Sequence, residues 1–245
     1  MSEENINDQL VLITGFSATG KSASFRNLAE PEKVMYLGTE AGKRLPFPSK
    51  FKVFKIIDPY QVQEALDYLL ANPGEFNTLI IDSLTFLMEM FETQYVLRSS
   101  NTMKGWSDYQ QFFKEMIQEK IASLTIPVLI TAHLKDTLDE KAMEIKTRVP
   151  IKGALQNNGI ESYFSTVVSA KKVSLNDLSD YKNDMLHITE EDEILGYKHV
   201  YQTRLTKKTV GETIRSPIGL FSRNETYIDN NAQILLNHLN NFYKE

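Results

Sequence analysis

Residues Gly15-Phe16-Ser17-Ala18-Thr19-Gly20-Lys21-Ser22 fit the pattern G-x-x-x-x-G-K-[ST] without a gap. Residue types in that order can wrap a polyphosphate. Glycine allows the turns that aim successive backbone N–H groups inward at phosphate oxygens. A helix opening directly afterwards adds the positive end of its dipole. Lys21 carries a point charge to the β- and γ-phosphates, and Ser22 offers a hydroxyl to Mg²⁺. The expected ligand is ATP with Mg²⁺. The expected contacts run from Gly15 through Phe16, Ser17, Ala18, Thr19, Gly20, Lys21 and Ser22 to Ala23.

Two carboxylates complete the candidate chemistry. Asp82 ends the apolar run Thr78–Ile81. A carboxylate at such a strand end can hold Mg²⁺ through water, opposite the hydroxyl of the phosphate loop; on its own it can equally cap a helix. Ser83 follows it, where ATPases of the AAA+ type usually carry a glutamate as base. The water-activating base must then come from elsewhere, and Glu40, closing Val34-Met35-Tyr36-Leu37-Gly38-Thr39, is the candidate. Adjacent parallel strands would bring Glu40 and Asp82 to one sheet edge. The alternative for Glu40 is a solvated loop residue.

The elements that must position these groups are legible as apolar runs alternating with helical patterns, which predicts a mainly parallel sheet with crossover helices. Strands are expected at 10–14, 34–37, 52–56, 78–81 and 128–132, and later at 163–173 and 199–206, with 213–216 as one more candidate. Helices are expected at 21–28, 61–70, 83–97, 106–124 and 232–242. The polar stretch 135–153 reads as a long loop. The acidic stretch 175–196 reads as an excursion or mobile insert. No linker divides the chain, so one α/β domain over 1–245 is expected.

Composition excludes several classes. The chain has 245 residues, no cysteine and four histidines without metal-ligand spacing, so a disulfide framework or a thiolate metal site is ruled out. No apolar run approaches the ~18 residues of a membrane span. The polar, acidic Met1–Asp8 is no secretory signal, and a cytoplasmic protein is expected, in the host cytoplasm if phage-encoded. The net charge of −5 argues against a wholly basic nucleic-acid coat. Charge is uneven, however: 141–152 holds four bases and one acid, and 198–215 holds five bases and one acid.

Taken together, the residues resemble the RecA/RadA recombinase superfamily, in particular its short phage-encoded members linked to single-strand annealing. Tyr36-Leu37-Gly38-Thr39-Glu40 resembles the strand-Thr-Glu motif that carries the family's catalytic glutamate. Leu79-Ile80-Ile81-Asp82-Ser83 resembles its metal-binding strand. Val128-Leu129-Ile130-Thr131-Ala132-His133 resembles the strand whose polar last residue senses the γ-phosphate and leads into a DNA-binding loop. The resemblance spans roughly residues 9–220. It implies a RecA-like P-loop core with late antiparallel strands and a homo-oligomeric ATPase acting on single-stranded DNA, with a single-strand-binding protein as a further candidate partner. With the first strand expected near residue 10, no polymerisation segment of the RadA type is expected before it.

The remaining candidates carry two readings each. His133 is either the sensor or a strand-end histidine bonded to backbone. Lys141, Lys146, Arg148 and Lys152 either bind DNA phosphates or lie on a solvated loop. Lys104 and Trp106 could stack a base, but Trp106 also opens an amphipathic helix, and core packing is the expectation there. The sequence places no cation beyond Lys21 and the metal against the γ-phosphate. Lys207 and Lys208 are therefore the candidates to reach a neighbouring subunit's site, with Arg204 and Arg215 in reserve; otherwise they form an exposed tip. Two other classes remain open: a P-loop small-molecule kinase, for which the arginines look too scattered to form a lid, and an ATP-controlled binding module.

Overall fold

The computed structural model describes residues 6–40, 42–140 and 143–244. Its centre is an eight-stranded sheet of order β10-β9-β8-β1-β5-β4-β2-β3. The strands are β1 (Leu10–Gly15), β2 (Val34–Gly38), β3 (Lys52–Lys55), β4 (Thr78–Asp82), β5 (Val128–His133), β8 (Thr166–Ser174), β9 (Tyr197–Gln202) and β10 (Tyr227–Asp229). Those from β3 across to β8 run parallel, and β9 and β10 are antiparallel to their neighbours. The expected α/β architecture, a mainly parallel sheet flanked by helices with late antiparallel strands, is the one found.

Both sheet faces are covered, so the central strands β1, β4 and β5 read as unbroken apolar runs. Alternate residues serve opposite layers. Leu10 and Leu12 face a core shared with α1 (Tyr60–Ala71), α2 (Leu84–Phe91) and α3 (Thr102–Lys114), whereas Val11 and Ile13 face one with Phe25, Tyr201 and α7 (Ala232–Phe242). Helices α2 and α3 continue as π-helical turns over Glu92–Val96 and Glu115–Ile121, close to the lengths read from periodicity. Trp106 packs partly buried against the first core and edge-to-face on Tyr109, as expected.

Four local expectations are corrected. The stretch 135–153 is not a plain loop: β6 (Lys135–Asp139) and β7 (Glu144–Arg148) form an antiparallel hairpin, followed by α4 (Leu155–Asn158). Apart from Thr147 the hairpin is largely open to solvent, so its apolar residues Leu138 and Ile145 are exposed and no buried alternation marks it. The helix expected at 21–28 is a six-residue 3-10 helix, Ser22–Asn27. The acidic stretch is ordered, with α5 (Leu175–Leu178), α6 (Glu190–Leu195) and a bond from Asp229 N to Met185 O at 2.8 Å. Residues 213–216 give only a two-way backbone bridge between Arg215 and Val167.

Candidate active site

The phosphate loop leaves the carboxyl end of β1, which lies between β5 and β8. Its glycines are dictated by close approach. A Cβ at Gly15 would lie 2.6 Å from Thr19 Oγ1 and 2.8 Å from the Ala170 carbonyl. Ala18 and Gly20 both have positive φ, so the loop doubles back within six residues. Lys21 Nζ donates to the carbonyls of Gly15 and Phe16, both at 2.8 Å. Burial pulls its ammonium down to about 8, with Asp82 opposing, Lys43 adding and Glu40 opposing. Because the following helix is a short 3-10 turn, its dipole is weaker than a full α-helix would supply, and the loop N–H groups and nearby cations carry more of the anion attraction.

The parallel strands bring the two carboxylates to one edge of the sheet. Gly38 of β2 is in register with Asp82 of β4. Thr39 then locks the strand ends together: its N–H donates to the Asp82 carbonyl at 2.9 Å, its hydroxyl donates to the Ser83 carbonyl at 2.7 Å, and the same oxygen accepts the Ser83 N–H at 2.7 Å. Asp82 is buried and accepts from Tyr36 Oη at 2.7 Å and from Thr131 Oγ1 of β5. Burial, then the Asp82 charge, pushes the Tyr36 phenol well above its usual range, so it stays a donor.

Glu40 is no solvated loop residue. Its Oε2 pairs with Lys43 at 2.5 Å, and its Oε1 is 3.3 Å from His133 Nε2. The other imidazole nitrogen, Nδ1, lies 3.5 Å from Lys21 Nζ. Burial, then the Lys21 charge, holds His133 below its usual range, so the ring is neutral at pH 7. The tautomer that suits both neighbours has Nδ1 accepting from Lys21 and Nε2–H donating to Glu40. Thr85 Oγ1 fixes the backbone N–H of His133 at 2.9 Å. Lys21, His133 and the candidate base thus form one chain of contacts.

These groups open into a cavity of about 590 Å³. Ser17 to Ala23, Glu40 and His133 line it, together with His187, Thr189, Asp192, Lys198, His199, Asp229 and Asn230. The second set comes from the acidic excursion, β9 and the end of β10. Sequence reasoning missed all of it, because nothing in local spacing links residues about two hundred positions from the loop. Arg26, Lys43 and Arg44 also line the cavity, so the chain places more cations there than the sequence alone placed.

The Mg²⁺ expectation meets a donor set of modest size. No cluster of three metal-binding side chains occurs among the described residues. Magnesium bound by phosphates and water needs only one or two protein groups. Ser22 lines the cavity, whereas Asp82 is buried outside the lining with a hydroxyl on each carboxylate oxygen, so it fits such an ion only as a group acting through water.

The other candidates lie apart from this cavity. Lys207 and Lys208 are exposed, and Lys208 pairs with Asp177 at 2.8 Å. On the hairpin, Lys146 pairs with Asp139, while beyond it Lys152 pairs with Glu92 at 2.8 Å and Lys104 with Asp108 at 2.6 Å. Lys135 and Arg148 are exposed. Lys141 lies outside the described residues.

With this geometry in place, comparison with known proteins gives the family. An AAA domain matches residues 7–211. The chain belongs to the AAA domain family. It does so with Ser83, not an acid, after Asp82. The family match ends before β10 and α7, so Asp229 and Asn230 lie beyond it. No curated protein matches the chain. Among solved structures, that of the RadB recombinase is similar with a TM-score of 0.38 and 16% identity, over 69% of this chain and 76% of that one. No helix among the described residues is long and apolar enough to cross a membrane.

Proposed function

We propose that this AAA-domain protein binds ATP with Mg²⁺ and hydrolyses it, with Glu40 as the base that orients and deprotonates the attacking water. The observation that carries this reading is the Thr39 lock, which sets Glu40 beside the phosphate loop with Lys43, His133 and Lys21 in one contact chain. The loop N–H groups and Lys21 bind the phosphates. Ser22, and Asp82 through water, would hold Mg²⁺, which supplies charge neutralisation on the β- and γ-phosphates. Neutral His133 donates to Glu40 and keeps it oriented. It lies close enough to Lys21 to sense a change at the γ-phosphate. Lys43 offers a second cation within the chain.

We place the activity on single-stranded DNA, in recombination or annealing and in a homo-oligomer, as in the phage-encoded proteins the motifs resemble. Support comes from those motifs and from the hairpin that leaves His133, whose exposed Lys135 and Arg148 could follow a phosphate backbone. A single-strand-binding protein partner and a cytoplasmic site belong to the same reading.

The test is turnover and binding of Glu40→Gln. The amide keeps size and hydrogen bonding but cannot act as a base. Mg-ATP affinity should stay near wild type, while turnover falls by a factor on the order of 10²–10⁴. Wild-type turnover in the variant would remove Glu40 from the role. Turnover that requires a small acceptor rather than DNA would favour a kinase, for which Arg26 and Arg44 at the cavity would be the lid candidates. Slow turnover under all conditions would favour an ATP-controlled binding module.

A further inference from the structure

We propose that His199 and Asn230 are positioning residues that set the phosphate loop from the β9–β10 side. Each holds one loop carbonyl toward itself, so that the N–H of the same peptide turns away from it and stays free for a phosphate. The proposal rests on the nucleotide reading above but concerns residues outside the loop motif.

The geometry is specific. His199 Nδ1 lies 3.0 Å from the Thr19 carbonyl, and an oxygen there can only accept, so Nδ1–H is the donor. Asn230 Nδ2 donates to the Gly20 carbonyl at 3.0 Å. These are consecutive peptides. In a planar trans peptide the C=O and the N–H point in opposite directions. Pulling Thr19 O toward β9 turns Gly20 N–H the other way, and pulling Gly20 O toward the end of β10 does the same for Lys21 N–H. Neither of these two N–H groups donates to another described residue. A phosphate cradle needs just that pair of free, converging donors.

Gly20 fits the same account. It has φ +94°, and a Cβ there would lie 2.3 Å from Asn230 Nδ2 and 3.1 Å from His199 Nδ1. The glycine is needed on its outer side as well, because two side chains press against it. Asn230 is 5% exposed, and its Nδ2 shares the Gly20 carbonyl with the Ser24 N–H, which donates to it at 3.1 Å. Both grips are braced. Lys198, next to His199, pairs with Asp192 at 3.0 Å and Asp229 at 3.4 Å. Asp229, next to Asn230, accepts from His187 N at 3.1 Å and lies 2.8 Å from His187 Nδ1. The acidic excursion thus closes a belt around the residues that hold the loop.

The test compares three ligands on four proteins. Mg-ATP, Mg-GTP and magnesium tripolyphosphate are titrated calorimetrically into wild type, His199→Leu, His199→Asn and Asn230→Ala, with thermal unfolding recorded for each. His199→Leu should weaken all three ligands by a common factor of about tenfold or more, the scale of one lost hydrogen bond that orients a charged contact. His199→Asn keeps an N–H at nearly the Nδ1 position and should recover most of that loss. Asn230→Ala should repeat the pattern, and it carries the test if His199→Leu does not fold. A loss confined to ATP or GTP would make His199 a base contact and overturn the proposal. So would unchanged tripolyphosphate affinity, or a His199→Asn protein no better than His199→Leu. If wild type binds none of the three, the nucleotide reading itself falls, and the proposal with it.

Discussion

Lys21 sits where burial and phosphate binding compete for one proton. Its ammonium is pulled from 10.5 to about 8, chiefly by burial. Phosphate binds the charged form, so binding must raise that value. Mg-ATP affinity should therefore be flat below about pH 8 and fall as pH rises above it, with proton uptake on binding in that window. Calorimetry in buffers of different ionisation enthalpy reads both. Affinity unchanged up to pH 10 would mean that Lys21 does not supply the cation. In the ligand-free chain the sign for stability is opposite. Charged Lys21 costs stability below about pH 8, and the cost fades as pH rises toward the unfolded value. Lys21→Ala should remove phosphate affinity and leave the fold intact.

At the scale of elements, the joint between β2 and β4 matters most, because the sheet places Glu40 only as well as Thr39 holds it. Thr39→Val keeps the shape but deprives the buried Ser83 N–H of its acceptor. The cost should be about 1–3 kcal/mol in denaturant unfolding. Turnover should fall more than Mg-ATP affinity does. An unchanged unfolding midpoint would mean the joint is held by strand pairing alone.

The hairpin β6–β7 gives a second expectation. Since Lys146 and Lys152 are already paired with Asp139 and Glu92, Lys135 and Arg148 should carry more of any contact with single-stranded DNA. Replacing Lys135 and Arg148 together should reduce the salt slope of DNA binding by about 1.4, at about 0.7 per phosphate contact. Replacing Lys146 and Lys152 should change it less. No DNA binding at low salt with ATP present would count against a DNA substrate.

These elements differ in how plainly the sequence announces them. β1, β4 and β5 are buried on both faces and read as apolar runs, and α7 follows its periodicity over Ala232–Phe242. The Gly38–Asp82 register explains why Glu40 could be read from its strand position. The hairpin and the three-residue β10 lack such marks, because solvent or a single neighbour decides them. His199 and Asn230 were invisible for a different reason. Their partner is a backbone carbonyl, which no residue type encodes.

For the whole molecule, the open issue is where the charge on the γ-phosphate is met. Lys43 and Arg44 lie in the cavity, whereas Lys207 and Lys208 lie outside it, with Lys208 held by Asp177. A mixing experiment separates the two arrangements. Glu40→Gln subunits are combined with subunits carrying Lys207→Ala and Lys208→Ala. If the late lysines act across an interface, the mixture recovers part of the turnover that neither protein has alone. If the double variant is fully active by itself, the cation is in the chain, and Lys43→Ala should instead lower turnover.

The belt that holds the phosphate loop also sets an order of events during synthesis. Thr19 and Gly20 are made early, but their carbonyls wait for His199 and Asn230, 180 and 210 positions later. At ~5–20 residues per second, roughly ten to forty seconds separate the loop from its second grip. Through that interval the β1–β5 part of the sheet can pair, since it needs nothing beyond residue 133. If the loop binds nucleotide as proposed, nucleotide meets a nascent chain whose cradle is still slack. On that reading ATP stabilises the completed fold, because its cradle is finished only once residue 230 is in place.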